Sequence, residues 1–142
     1  MNVRLLAGVV ALACGTIGAA HAAPPKTMFV DHSNDALIDE ASAKAILGEG
    51  ITARVLKVYP ANKWGFVSQV EGGLLGNGTC VITARVMMMQ LTPTMKAMLF
   101  RPQKTATTFD AQAGSNADQC KTLARTKLKE AVQAVVSSLV KA

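Results

Sequence analysis

Apolar residues in the last part of the chain recur with the period of an α-helix. Ser115 and, three residues later, Asp118 lie at the start of this pattern and form a variant of the capping box with Asp in place of Glu. At about 100° per residue, one side of this helix carries the apolar positions Ala117, Cys120, Ala124, Leu128, Ala131, Val135 and Leu139. The pattern predicts a long C-terminal helix with a single buried stripe.

A shorter helical pattern lies towards the other end of the chain. One face of this helix carries Leu37, Ile38, Ala41 and Ala45. Asp31, Ser33 and Asn34 all precede it and are competent N-caps. Gly48 and Gly50 follow it, as is typical of helix C-termini. We therefore predict an N-terminal helix that ends near residue 47.

Between the two helices the hydrophobic pattern is typical of strands. Strands are predicted within residues 51–59, 64–70, 79–92 and 105–113, with residues 28–30 as an edge strand. Residues 60–63 form a turn, residues 71–79 form a glycine-rich hairpin connection, and Pro93 ends the longest strand. This order predicts an α+β two-layer sandwich. Its antiparallel sheet has three to four strands, with the N-terminal and the long C-terminal helix on one face.

The first 22 residues have the pattern of a secretory signal peptide. Arg4 is followed by a short apolar run over residues 5–17, and Ala20-His21-Ala22 supplies small residues around a cleavage point. The run is shorter than the roughly 20 residues of a membrane span. Lipoprotein processing at Cys14 is disfavoured because Ala11 stands where that signal has Leu. We expect a signal peptide over residues 1–22 and a single α+β domain over residues 23–142, periplasmic or secreted, without a transmembrane segment.

Cleavage after Ala22 leaves two cysteines in the mature chain, Cys80 and Cys120. Exported proteins meet an oxidising compartment, where such a pair is usually bonded. The spacing is unlike the Cys-x-x-Cys of redox-active pairs. We therefore predict a structural disulfide between the start of the central strand and the first turn of the C-terminal helix.

The mature chain is basic, and the excess lies in its C-terminal half. Of the 15 basic residues only Arg4 precedes the cleavage point, so the mature chain carries a net charge of +5. Lys121, Arg125 and Lys129 recur every four residues and form a basic stripe along one border of the helix's buried face. Outside the cytoplasm this balance favours a protein or an anionic envelope component as partner over nucleic acid. An ordinary solvated surface is the alternative.

Residues suited to catalysis are scarce. After cleavage His32 is the single histidine, and its neighbours Asp31 and Ser33 point away from it, as adjacent residues do. Asp35 and Asp39 share a helix face, where carboxylates are usually solvated. The sequence therefore predicts no catalytic residue, no metal site and no cofactor. A small hydrolase is kept as an alternative.

The chain also contains a cluster of methionines. Met87, Met88 and Met89 are consecutive, and Met95 and Met98 follow across Pro93. Thioethers select Cu(I), so copper binding is one interpretation. Filling of irregular apolar space is the other, and we favour it because no histidine or cysteine lies near in sequence.

The strand over residues 79–92 is apolar on both sides. If both helices cover one face, Met87, Met89 and Leu91 lie on the other. An apolar patch of this kind is usually covered by a chain segment, a second subunit, a ligand or a partner. We therefore expect an exported, non-enzymatic binding protein that uses this face, or the basic stripe, to contact its partner. A homodimer through the sheet face is one form of this expectation, and a carrier of a hydrophobic small molecule is an alternative.

Overall fold

The computed structural model describes residues 26–94 and 98–140. In chain order its elements are β1 (Met28–Asp31), α1 (Glu40–Gly50), α2 (Ala53–Val58), β2 (Trp64–Leu74), β3 (Cys80–Leu91), β4 (Met98–Gln112) and α3 (Ala117–Leu139). The predicted signal peptide, with Cys14, and Met95 lie outside the described residues. None of the described helices is long and apolar enough to cross a membrane.

The strands of the described chain form one sheet in the order β1-β2-β3-β4. β2, β3 and β4 are antiparallel neighbours, whereas β1 pairs in parallel with β2. The α+β class is confirmed, but the expectation of a wholly antiparallel sheet is wrong for β1. The reason is the crossover from β1 through α1 and α2, which returns the chain to the sheet in the same direction.

The hydrophobic core lies on one face of the sheet, which we call the inner face. Phe66 and Val70 of β2 and Ile82 and Val86 of β3 are fully buried on it. The side of α3 that packs against them consists of Cys120, Ala124, Leu128, Ala131, Val132, Val135 and Leu139. α1 joins the same cluster, so both helices lie on one face, as predicted. Of the predicted stripe only Ala117 is exposed, because it lies one turn before the sheet begins at Cys80.

The cap of α3 is one residue from the predicted position. Asn116 is the N-cap, and its side chain accepts a hydrogen bond from the Gln119 backbone N–H at 2.9 Å. The Gln119 side chain accepts the Asn116 N–H in return at 2.8 Å. Ser115 instead donates its hydroxyl to the Gln112 carbonyl. A full capping box therefore begins the helix, with Gln119 in place of the predicted Asp118.

α1 begins later than predicted, because Asp39 rather than Asp31, Ser33 or Asn34 is its N-cap. The Asp39 carboxylate accepts the Ser42 backbone N–H at 2.8 Å. This shift rotates the helix, so that Ala43, Ile46 and Leu47 face the core while Ala41 and Ala45 are exposed. Leu37 and Ile38 are still buried, but they lie in the turn before the helix.

Close approach of α1 and α3 depends on a glycine. A Cβ atom at Gly50 would lie 2.2 Å from Cγ1 of Val132, well inside van der Waals contact. The prediction that Gly48 and Gly50 end this helix is wrong, because both lie within α1 and Ile51 is its C-cap. Gly50 instead has a packing role.

The strand predicted over residues 51–59 is wrong, since this segment contains α2. Val55 is the buried residue of α2, whereas Ile51, also buried, lies between the two helices as the C-cap of α1. β1 already occupies the edge of β2 with which a further strand would have paired. The β-branched composition of this segment therefore reflects burial of two side chains rather than pairing in the sheet.

The predicted turns and the remaining strands are confirmed, with longer strands than expected. The Lys63 N–H donates to the Pro60 carbonyl in the predicted turn. β2 continues past Val70 because Gly72, at φ 113°, has no side chain and lets β2 lie close to β3. A Cβ atom at this position would lie 2.0 Å from the Val81 carbonyl oxygen. β4 begins at Met98, seven residues before the predicted start.

The predicted disulfide is present. Cys80 and Cys120 are bonded, their Cα atoms are 5.5 Å apart, and both are buried. The bond joins the first residue of β3 to the first turn of α3, so it attaches the longest helix to a central strand.

We predict that reduction of this disulfide destabilises the protein strongly. The bond spans 40 residues of sequence, and the loss of that loop constraint in the unfolded chain costs about 4 kcal/mol. Urea unfolding of the oxidised and the dithiothreitol-reduced protein measures the difference. Equal midpoints in the two states would show that the bond does not constrain the unfolded chain.

Candidate functional site

The described helices leave the face of the sheet opposite them uncovered. We call it the outer face. The register of the strands places on it Val30 of β1, Val67 and Gln69 of β2, Val81, Thr83, Arg85 and Met87 of β3, and Thr105, Thr107 and Phe109 of β4. The buried side chains of the described helices belong to the cluster on the inner face. Val67 is nevertheless buried, at 6% exposure, so the outer face is open mainly on its β3 and β4 side.

Phe109 is the most exposed large hydrophobic side chain of the described residues, at 64%. It lies opposite Thr83, with Val81 and Arg85 as its diagonal neighbours on β3. The Arg85 Nε donates to the Thr107 hydroxyl at 3.4 Å, so this guanidinium lies across the sheet surface. The result is an exposed aromatic ring among hydroxyl and aliphatic side chains.

The predicted contact residues Met89 and Leu91 are buried within the chain itself, at 9% and 5% exposure. Gly65 of β2 pairs with Met89 and has no side chain to fill the outer face. Met98 occupies that space, since its Cε would lie 2.4 Å from a Cβ at Gly65, and Cδ2 of Leu91 lies close by. This end of the outer face is thus a small core of its own. Met87 is half-buried and is the one of the three predicted residues that reaches the surface.

The methionines are divided between the two faces of the sheet. Met88 is buried on the inner face, whereas Met87 and Met89 point to the outer face. Met98 packs over Gly65 as a space-filling side chain. Met95 lies outside the described residues. In the part of the chain that is described, no three His, Cys, Asp or Glu side chains come together as a metal site.

The basic stripe of Lys121, Arg125 and Lys129 is exposed along α3. Its surroundings are less basic than the sequence of α3 indicates, because α1 brings acidic groups beside it. Hydrogen bonds from Ser42 lower the pKa of Asp39, and the charge of Arg125 contributes to the same lowering.

A shallow cleft between α1 and α3 adds a second acidic neighbour to the stripe. The cleft measures about 190 Å³, and Glu49 and Lys129 both line it. Two of the three stripe residues therefore have carboxylates nearby, which the spacing along α3 alone does not reveal.

Lys127, on the other border of α3, is engaged within the molecule. Its ammonium lies 2.8 Å from a Glu130 oxygen and 3.2 Å from an Asp110 oxygen, and its side chain is 13% exposed. The hydrogen bond to Glu130, followed by that to Asp110, raises the pKa of Lys127. This ion pair joins α3 to β4 rather than offering charge to a partner.

Asp31 and Ser33 have a structural role in joining β1 to β2. Oδ1 of Asp31 accepts the Ser33 hydroxyl at 2.7 Å and the Ser68 hydroxyl at 2.6 Å. The Ser33 oxygen in turn accepts the Val70 backbone N–H at 2.9 Å. His32 is exposed between them, and its backbone N–H donates to the Ser68 carbonyl. The carboxylate is thus occupied by two serine hydroxyls and does not orient the imidazole as a catalytic triad requires.

Ser68 is the residue of this network that sequence reasoning missed. It is fully buried on the inner face of β2, between Phe66 and Val70. The available signal was a polar residue at a core position of an alternating strand, which implies a buried hydrogen-bond partner.

Neither the protein-family models nor the curated protein sequences give a match to this chain. Among solved structures, the chain is similar to the 2.35 Å crystal structure of a minor lipoprotein from Acinetobacter baumannii. The identity is 11%, the TM-score is 0.40, and the likeness covers 79% of this chain and 91% of that chain. A likeness this distant carries no argument about function.

We predict that Asp31 and Ser68 are energetically coupled. Asp31→Ala leaves the buried Ser68 hydroxyl without its acceptor, which costs about 1–3 kcal/mol of unfolding free energy. Adding Ser68→Ala removes that unsatisfied hydroxyl. The double variant should therefore lose less unfolding free energy than the sum of the losses of the two single variants. Urea unfolding of the four proteins measures the coupling, and strictly additive losses would exclude it.

Proposed function

We propose that this chain is an exported, non-catalytic binding protein whose outer sheet face binds a partner protein. The observation that carries the proposal is the exposure of Phe109, near the C-terminal end of β4, on a face that the described helices leave uncovered. Contiguous exposed apolar surface marks interaction sites, and Phe109 has the aliphatic Val81 as a neighbour on the same face. Aromatic side chains are enriched where proteins bind each other.

The chemistry of the outer face favours protein over a charged polymer at this surface. Around Phe109 the side chains are Thr83, Thr107 and Val81, with Arg85 as the nearby charge. Such a surface offers apolar contact and hydroxyl groups but little net charge. Met87 adds an adaptable side chain, which suits contact with a protein surface.

Export is supported by two independent features. The first 22 residues carry the pattern of a secretory signal peptide. The buried Cys80–Cys120 disulfide fits an oxidising compartment, since such bonds are rare where thiols are kept reduced. We therefore propose that the mature protein works in the periplasm or outside the cell.

The basic stripe supports a second candidate function, binding of an anionic envelope component. Lys121, Arg125 and Lys129 are all exposed and project from one long helix. They lie on the helix side of the molecule, so this contact and the outer-face contact do not exclude each other.

We predict that a photo-crosslinking amino acid at Phe109 captures a defined partner. The expected result in the native envelope is a covalent adduct of one additional mass, since this ring lies at the centre of the proposed interface. The matched control position is Val58, an apolar side chain 58% exposed on α2, which belongs to neither proposed binding surface and should give no such adduct. Equal labelling from both positions, or none from Phe109, would contradict the proposal, and an adduct with the mass of a second copy would show self-association.

We predict that the double variant Arg125→Glu plus Lys129→Glu weakens binding to phosphatidylglycerol vesicles at low salt by at least tenfold. Each basic group near an anionic surface contributes about 1 kcal/mol. The control is Lys57→Glu plus Lys63→Glu, which makes the same charge change at two exposed positions away from α3. Vesicle co-sedimentation measures the binding. Equal losses in the two double variants would show an effect of net charge alone and would refute the stripe as a binding site.

A further inference from the structure

β4 is a long strand at the edge of the sheet. It spans Met98–Gln112, and the strand order ends with it, so its second side has no partner strand among the described residues. The opposite edge is β1, with only four residues. Long edge strands invite pairing with another chain, because a row of backbone N–H and C=O groups is left without partners.

The hydrogen bonds of β1 and β2 determine which backbone groups of β4 point outward. The carbonyls of Ser68 and Val70 accept the N–H groups of His32 and Asn34, so these two β2 residues turn their backbone towards β1. Gln69, between them, must then face β3, where its partner is Arg85.

The alternation continues across β3 to β4. Since Arg85 faces β2, its neighbour Ala84 faces β4 and pairs there with Thr108. The residues on either side of Thr108 then turn their backbone groups away from the sheet, and these are Thr107 and Phe109, followed by Thr105 and Ala111. The Ala111 N–H agrees with this assignment, because it donates to the Asp110 side chain at 2.8 Å rather than to a strand.

Charge selects one register for pairing of this edge with itself. An antiparallel pair centred on Thr107 places Thr105 opposite Phe109 of the second copy, so that all the outward-facing residues are matched. In the same register, Lys104 lies opposite Asp110 of the second copy. On the other side of the two-fold axis, Asp110 lies opposite Lys104 of the second copy. Lys104 is exposed, and the Asp110 side chain is 44% exposed beside its ion pair with Lys127. Centring on Thr105 or on Phe109 brings no opposite charges together.

We propose that two copies of this chain associate through the free edge of β4, antiparallel and centred on Thr107. The two four-stranded sheets join into one sheet of eight strands, with about six new main-chain hydrogen bonds across a two-fold axis. Two Lys104–Asp110 pairs flank the axis on the inner face. On the outer face, each Phe109 lies beside Thr105 of the second copy. The edge that pairs is distinct from the outer face that we propose as the partner-binding surface. Pairing places the outer faces of the two copies side by side, so that they form one continuous surface of twice the width.

Sedimentation equilibrium of the mature chain tests the pairing. We expect a monomer–dimer equilibrium that Thr107→Pro weakens at least tenfold, because proline removes an outward N–H that has no partner strand within the monomer. Lys104→Glu should weaken it as well, by placing like charges opposite Asp110. Circular dichroism confirms that each variant keeps its fold. A monomer at all concentrations, or a dimer equally tight in both variants, would overturn the proposal.

A crosslinking experiment tests the register independently. Thr107→Cys places two thiols on the two-fold axis, whereas Thr105→Cys places them about 14 Å apart, since a strand rises about 3.4 Å per residue. A short bismaleimide should therefore give covalent dimers with the first variant and at least tenfold fewer with the second. Equal yields from the two variants, or a dimer lost on Phe109→Ser but kept in Thr107→Pro, would replace edge pairing with association through the outer face.

Discussion

The packing of α3 against the inner face of β3 is the interaction on which the rest of the structure depends. Along α3 seven side chains are buried, and the Cys80–Cys120 bond attaches the start of the helix to the start of the strand. Because α1 and β2 pack into the same cluster, most of the apolar area of the molecule is buried on one side of a single sheet. The opposite side of the sheet is left as a free surface, and the functional proposals follow from that asymmetry.

The elements that sequence predicted best were those with a strong period. The stripe of α3, apart from Ala117, and the alternation of β2 were confirmed because one buried face determines which residues repeat. The disulfide was confirmed because the predicted mature chain has one pair of cysteines. Prediction failed where burial and composition disagreed. The segment over residues 51–59 has the β-branched composition of a strand, yet it contains α2, in which Val55 is the buried residue. In α1 the N-cap is Asp39 and not one of the three equally competent candidates that precede it.

The candidate site shows what sequence could not reveal. That the strand over residues 79–92 has two apolar faces was visible in the sequence, but which outer-face side chains reach the surface depended on neighbours. Met89 and Leu91 are covered because Gly65 lies across the sheet from them and Met98 fills the space. Phe109 was predicted to lie within a strand, yet its exposure follows from the position of β4 at the edge of the sheet. Only the register of the strands brings these residues together.

Hydroxyl-radical footprinting with mass spectrometry tests the central claim, that one face of the sheet is buried and the other is free to bind. In the purified protein the account predicts strong labelling of Phe109 and measurable labelling of Met87, with little at the adjacent Met88 and none at Phe66. In the native envelope, labelling of Phe109 should fall while that of Val58, exposed on α2, stays the same. Protection of Phe109 equal to that of Phe66 in the isolated monomer, or no change in the envelope, would contradict the account.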